Sequence, residues 1–293
     1  MLKFLKKNIL SVVLTITLIL LIAVVAIGAF SVWYVLRPWN SDINYLTGEN
    51  ITIEAFDGIK LTGNKRYADI VTDSWVLIVH SYRSHKSAMS PYERHYHEKG
   101  YNTLCVDNRA HGQSEGSYIG MGYLDQFDIE EWVNYILAEN PNAKIVLHGL
   151  SMGGASCIIY SGRDDVPKNV VAVVKDSGYA SAESYLTWKL KHTFGLPSFP
   201  IVPIANMATK ISAGYWLSDA SAFEAVKNST IPTLFIHCDN DMTVPVADAH
   251  LLYNAANCKK DILIISDAGH GEGVIKDADQ YWTKVDTFIN QNK

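Results

Sequence analysis

The residues best suited to covalent chemistry surround Ser151, in the run HGLSMGG at 148–154. This run contains G-x-S-x-G between a β-branched stretch and a stretch with helical periodicity. In a nucleophile elbow, small residues let the chain turn sharply, so that the serine hydroxyl projects from the sheet edge. The N-terminus of the following helix carries partial positive charge, which favours a developing oxyanion. The pattern predicts Ser151 as a nucleophile, and the alternative is a glycine-rich turn with a bystander serine.

A nucleophilic serine needs a histidine base and an acid that orients it, and after a nucleophile elbow the chain order is serine, acid, histidine. Two downstream segments carry suitable side chains directly after β-branched runs: CDNDMTVP at 238–245 and SDAGHG at 266–271. His270 has glycine on both sides, which lets an imidazole reach inward from a loop. The other nine histidines fit helix surfaces, loops or strand ends, without the spacing of a metal site. We therefore expect neither a metal nor a cofactor.

The elements that must position these residues alternate between strand and helix. Eight β-branched runs predict strands at 51–55, 59–67, 75–80, 102–106, 144–148, 170–175, 233–237 and 261–265. The first two are joined by Asp57-Gly58, a strong hairpin signal. Apolar residues three and four apart predict helices at 89–98, 123–138, 152–160, 246–256 and 281–290. A hairpin followed by strand–helix alternation predicts one α/β domain over 49–293 with a mostly parallel eight-stranded sheet.

Residues 181–217 interrupt this alternation with several aromatic residues and three prolines. We interpret the segment as a small helical cap over the carboxyl edge of the sheet, where α/β proteins bind ligands. Its aromatic side chains are candidates for the substrate pocket: Tyr185, Trp188, Phe194 and Phe199.

The N-terminus has a different character, because residues 8–36 contain no Asp, Glu, Lys, Arg or His. A helix rises about 1.5 Å per residue, so roughly 20 residues span a bilayer core about 30 Å thick. The basic residues Lys3, Lys6 and Lys7 precede the run, which predicts a cytoplasmic segment at 1–7 and an extracytoplasmic domain by the positive-inside rule. A cleaved signal peptide is the alternative, but its apolar region usually has only about 7–15 residues. Residues 37–48 are expected to form a tether.

The composition is that of a folded chain with two different parts, an uncharged N-terminal run and an acidic domain. The 293 residues are 48 % hydrophobic and 19 % charged, which excludes a disordered chain. The net charge is −5, and residues 38–293 alone carry −9, so the domain lacks the excess of positive charge that binds nucleic acid. The expected partners are therefore the membrane, through the N-terminal helix, and a small-molecule or lipid-like acyl substrate.

Two further segments carry a resemblance to a known family. DNRAHGQSEG at 107–116 and HCDNDMTVP at 237–245 resemble the D-x-R-x-H-G-x-S-x-G and H-G-x-x-D-x-x-V-P segments of α/β-hydrolases in the fermentation–respiration switch and serine-aminopeptidase-like esterase group. The resemblance covers about residues 50–290. It implies Asp241 as the acid, with Asp239 and Asp176 as less favoured choices, and His270 as the base.

The same resemblance implies an oxyanion hole made by the backbone amides of Met152 and Tyr82. The family usually has glycine where this chain has Ser81 and Cys238, and such a replacement matters only where φ is positive. Asp107, Arg109 and His111 are expected to brace loops.

We therefore expect a membrane-anchored serine hydrolase, most simply a carboxylesterase that works through a Ser-Asp-His triad and an acyl-enzyme. An aminopeptidase or acyl-peptide hydrolase with the same triad is one alternative. A membrane-tethered binding protein without turnover is another.

Overall fold

The computed structural model describes the backbone of residues 2–293 and their side chains, except those of residues 2–8 and 20. The predicted orientation in the membrane depends on Lys3, Lys6 and Lys7, whose side chains are among these exceptions. The predicted α/β class is confirmed: helices cover both faces of one mostly parallel sheet.

The sheet has eight strands in the spatial order β8-β7-β6-β5-β3-β4-β2-β1. They are β1 (Glu49–Glu54), β2 (Lys60–Arg66), β3 (Ser74–Val79), β4 (Asn102–Val106), β5 (Lys144–Leu150), β6 (Val170–Asp176), β7 (Thr233–Cys238) and β8 (Lys260–Ile265). β1 and β2 form an antiparallel hairpin, β2 also pairs antiparallel with β4, and all other pairs are parallel. The chain passes from β4 across β3 to β5, so the strand order reverses beside β3 and β5. Ligands of open α/β sheets bind outside the carboxyl ends of the strands at such a reversal.

The described residues also form ten α-helices. They are α1 (Leu2–Leu36), α2 (Ser90–Glu98), α3 (Asp125–Glu139), α4 (Met152–Ser161), α5 (Ala182–Phe194), α6 (Ile201–Ala213), α7 (Ala222–Asn228), α8 (Val246–Ala255), α9 (Gly273–Lys276) and α10 (Ala278–Asn290). The sheet separates two apolar cores, with α3, α4, α7 and α8 on one face and α2 and α10 on the other. Because the central strands are covered on both faces, they are apolar without alternation.

The N-terminal helix does not stand apart from the domain. Residues Ile9–Leu36 of α1 are long and apolar enough to cross a membrane, yet Val32 and Leu36 near its end are buried in the core. The Tyr82 hydroxyl donates to the Val35 carbonyl at 2.8 Å, and α6 packs against α1 where the chain has Gly28. The last turns of α1 are therefore part of the domain structure.

The segment expected as a tether also lies on the domain. Residues Trp39–Asn40 pair in parallel with His111–Gly112, and the Tyr45 amide donates to the Ser87 hydroxyl at 3.1 Å. These contacts hold the segment against the loops after β4 and β3, which composition alone could not indicate.

Helices α5 and α6 form the insertion between β6 and α7. Its two ends meet, because Ser181 and Ser221 form an isolated antiparallel bridge and the Ala182 amide donates to the Ala220 carbonyl. The insertion therefore leaves the pairing of β6 with β7 intact. We call residues 181–217 the cap.

The loop after β4 is fastened by buried ion pairs. Asp107 accepts from the ammonium group of Lys86 at 2.5 Å, and both side chains are fully buried. Arg109 donates to both carboxylate oxygens of Asp128 at 2.6 Å and also contacts Asp57. A side chain at Gly112 would overlap the Asp107 carboxylate, so this position needs glycine. The loop is therefore rigid where it passes the carboxyl edge of the sheet.

We expect Asp128→Ala to lower the free energy of unfolding by about 3–5 kcal/mol, because it leaves the buried Arg109 without its bidentate partner. Glu224→Ala is the matched control: it removes an exposed pair with Lys227, for which about 0–1 kcal/mol is expected. Denaturant titration of both variants in detergent measures the difference. Equal effects of the two substitutions would contradict the structural role given to Arg109.

Candidate active site

Ser151 occupies a strained turn between β5 and α4. Its backbone has φ 54° and ψ −115°, a conformation that L-residues rarely adopt. A side chain at Gly149 would overlap the backbone of Gly153, and one at Gly153 would overlap the Val79 carbonyl at the end of β3. The two glycines of G-x-S-x-G therefore allow the first turn of α4 to pack directly on the sheet.

The structure brings Ser151, His270 and Asp241 together in one hydrogen-bonded row. The Ser151 hydroxyl donates to His270 Nε2 at 2.8 Å, and His270 Nδ1 donates to Asp241 Oδ2 at 2.6 Å. The three residues follow the carboxyl ends of β5, β7 and β8, so the parallel sheet places them on one edge. Ser151 and Asp241 are buried, whereas the His270 side chain is partly exposed. This arrangement can remove a proton from the serine and hold the resulting imidazolium.

Asp241 is held as an ionised acceptor. Its Oδ1 accepts from the amides of Thr243 and Val244 at 2.8 Å each. Burial alone would raise the pKa of Asp241, but the adjacent imidazoles of His237 and His270 outweigh burial and hold that pKa well below its usual range.

The two less favoured acids lie elsewhere. Asp239 is exposed, and the buried Asp176 accepts instead from the hydroxyls of Ser177 and Tyr281 at 2.8 Å.

Behind the row lies a buried pair that the sequence did not reveal. His237 Nε2 donates to the Val244 carbonyl at 3.0 Å and lies 3.3 Å from Asp241 Oδ2, so its Nδ1 is free to accept. The fully buried Lys175 points its ammonium nitrogen at that Nδ1, 3.4 Å away. Burial lowers the pKa of Lys175 to about 8 and also lowers the pKa of His237. Lys175 is an ordinary member of a β-branched run, so no sequence pattern points to it, and His237 entered the sequence analysis only as the first residue of the segment at 237–245.

Two backbone amides, in the turns after β3 and β5, have no protein partner among the described residues. Val79 at the end of β3 pairs with Gly149 of β5, so the turns that follow these strands lie side by side. In the part of the chain that the structure describes, neither the Tyr82 amide nor the Met152 amide donates to a protein group. The first amides of a helix have no partner within it, which leaves Met152 free to bind a ligand.

The loop that carries Tyr82 accommodates serine in place of glycine. Within residues 2–293, neither Ser81 nor Cys238 has a positive φ, so neither replacement strains the backbone. The positive φ falls on Arg83 instead, at 51°. Its amide donates to His111 Nε2 at 3.0 Å, and His111 Nδ1 donates to the Arg109 carbonyl. Burial lowers the pKa of His111 to about 3, so His111 is neutral and can accept this hydrogen bond.

A cavity of about 450 Å³ lies between the end of α1, the cap and the loop after β3. Its wall is mostly apolar and includes Phe30 and Val35 of α1 and Leu186 of α5. Tyr82 also lines it, whereas Ser151 and His270 are not in its wall. Such a volume is typical of ligand pockets, which measure about 300–1,000 Å³.

The predicted pocket residues divide into two groups. Tyr185 and Phe194 line the cavity. Trp188 does not: its ring stacks on His192 of the same helix, with the ring centres 3.5 Å apart. Phe199 also lies outside the wall, with 76 % of its surface exposed in the loop between α5 and α6. The aromatic pattern could not show which side of each helix faces the domain.

The sheet order, the strained serine turn and the residues at the carboxyl edge together define the fold: the chain has the α/β-hydrolase fold. A family model described as serine aminopeptidase S33 matches residues 71–194, which include Ser151 but not Asp241 or His270. Among the residues that the structure describes, no group of three His, Cys, Asp or Glu side chains could hold a metal ion.

Individual proteins are also similar to this chain. The chain is 26 % identical over 220 residues to the uncharacterized protein YqkD of Bacillus subtilis, covering 75 % of this chain and 72 % of the relative. It is 28 % identical over 243 residues to the uncharacterized protein YfhR of Escherichia coli, covering 80 % and 74 %. Among solved structures, an esterase of Pyrococcus furiosus superposes with a TM-score of 0.72 at 21 % identity, covering 88 % of this chain and 98 % of that one.

We expect the stability of the protein to depend on pH through Lys175. An unfolded lysine has a pKa of about 10.4, so between pH 8 and pH 10 the unfolded chain binds more protons here than the folded one. The parent should therefore gain stability relative to Lys175→Met as the pH rises, by up to about 1.4 kcal/mol per pH unit. Denaturant titrations of both proteins at pH 7, 8, 9 and 10 measure the difference, from which the contributions of other groups cancel. A difference that stays constant with pH would contradict the assignment.

Proposed function

We propose that this protein is a serine hydrolase that cleaves a carboxylic ester through an acyl-enzyme. Ser151 Oγ attacks the ester carbonyl while its proton passes to His270 Nε2, and Asp241 stabilises the imidazolium. His270 then returns the proton to the departing alcohol, and water repeats the sequence to release the acid. In this proposal the backbone amides of Tyr82 and Met152 hold the tetrahedral oxyanion. The observation that carries this proposal is the row of two short hydrogen bonds that joins the three side chains.

The cavity favours an ester over a peptide with a free amine. An aminopeptidase has to bind an ammonium group, for which a carboxylate is the usual partner. The charged residues in the cavity wall are Arg83 and Lys189, both basic, and the cap contains only Glu183 as an acid. A binding protein without turnover would have no need for the strained turn at Ser151.

We expect Ser151→Ala to lower kcat for a short p-nitrophenyl ester by at least about a thousand-fold, because it removes the nucleophile. Ser161→Ala is the matched control, since Ser161 lies at the far end of α4 and its hydroxyl only donates to the Ile158 carbonyl. Comparing the ester with an aminoacyl amide in the same assay ranks the two enzymatic functions. Equal rates for the parent and Ser151→Ala would contradict the mechanism.

We further propose that α1 anchors the enzyme in a membrane with the domain outside the cytoplasm. Residues Ile9–Leu36 of this helix are apolar, and the described side chains before Gly28 are almost all exposed. Trp33 and Tyr34 remain exposed near the end of the helix, as in the aromatic belt at a membrane surface. The three lysines before the apolar run favour a cytoplasmic N-terminus.

Labelling with a membrane-impermeant maleimide tests this orientation. Val71 is fully exposed in the loop before β3, so we expect Val71→Cys to be labelled on intact spheroplasts. Leu2→Cys should be labelled only after lysis, and the parent measures the background from the native cysteines, three of which are buried. Protection of Val71→Cys until lysis would contradict the proposed orientation.

A further inference from the structure

The cavity beside the cap is built partly from the helix that we propose as the membrane anchor. Side chains of α1 from Ile27 to Leu36 form one wall, and α5 of the cap forms the facing wall. A soluble substrate pocket has no need of an anchor helix. The shared wall therefore raises the question of where this cavity lies relative to the bilayer.

The length of α1 places the cavity at the membrane surface. The apolar stretch from Ile9 to Leu36 has 28 residues, about 42 Å of helix, whereas the hydrocarbon core is only about 30 Å thick. If the span begins near Ile9, the hydrocarbon region ends near Gly28, and the last two turns emerge at the headgroups. Gly28 is also where Ile204 of α6 packs against α1, so the cap touches the anchor at that level.

The outer surface of the cap has the chemistry of a membrane contact. Met207 and Ile211 lie one helical turn apart on the exposed side of α6, and Ile211 is 78 % exposed. Phe194, Leu196 and Phe199, in and beside the loop between α5 and α6, are exposed as well.

The charge of the cap is opposite to that of the domain. The cap has three lysines and a single glutamate, whereas residues 38–293 as a whole carry −9. Exposed apolar side chains interleaved with lysines are typical of a surface that lies on anionic headgroups.

We propose that the cap lies on the extracytoplasmic leaflet and that the cavity takes the acyl chain of a membrane-resident ester directly from the bilayer. The chain would lie between α1 and α5, with its carbonyl near the Tyr82 amide and Ser151. This inference rests on the proposed function and names its substrate class: long-chain acyl esters that partition into membranes.

The test uses the full chain in liposomes with two esters of the same fluorogenic alcohol, a palmitate dissolved in the bilayer and a water-soluble butyrate. Ser31→Phe fills the cavity from the α1 side, so the ratio of palmitate to butyrate hydrolysis should fall at least ten-fold. Ser11→Phe, on the exposed surface of the same helix, should keep the ratio within two-fold of the parent. Thr193→Phe, which fills the cavity from the cap side, is a second test if Ser31→Phe does not fold.

The double variant Met207→Asp, Ile211→Asp tests the contact with the bilayer. It should lower the same ratio at least five-fold, and Val71→Asp, in the loop before β3, should leave it unchanged. An unchanged ratio in the cavity variants, or in the cap variant, would overturn the inference. If the parent cleaves butyrate but not palmitate, the inference fails while the proposed function stands. If it cleaves neither ester, the proposed function itself fails.

Discussion

The whole site depends on how closely α4 can approach the sheet. Side chains at Gly149 or Gly153 would overlap backbone atoms of the elbow or of β3, so the chain can turn at Ser151 only because both positions lack a Cβ. That turn forces Ser151 to a positive φ and leaves the Met152 amide without a partner. The surrounding structure has to stabilise the strain, and the fully buried α4 supplies that packing.

The remaining parts of the site are fixed by buried polar contacts. Asp241 is oriented by two amides and by His237, and the loop of Tyr82 is fixed by the hydrogen bond from Arg83 to His111. Buried polar networks of this kind are costly unless every member has a partner, so they define one geometry. The proposed catalytic groups are therefore positioned by neighbouring residues, such as His237 and His111, that we do not expect to contact the substrate.

Much of this arrangement could be predicted from the sequence, because it depends on local patterns. The strands, the glycine-flanked His270 and the elbow are all signalled by neighbouring residues. The choice of Asp241 over Asp239 came from a family resemblance, since both follow β7. The contact between Lys175 and His237 and the contacts of α1 with the domain depend on packing between distant segments, so local sequence patterns do not predict them. The same limit explains why the prediction for Trp188 was wrong. Its aromatic character suggested a pocket residue, but its ring stacks on His192 of the same helix.

The central claim is that Ser151 is the nucleophile, and an active-site phosphonylation experiment tests it most directly. The full chain in detergent is treated with a fluorophosphonate, digested, and mapped by mass spectrometry. The account predicts one phosphonyl group on the peptide that contains Ser151, formed quickly by the parent and far more slowly by His270→Ala. No adduct, or an adduct on another serine of the parent, would contradict the claim that this geometry is a working active site.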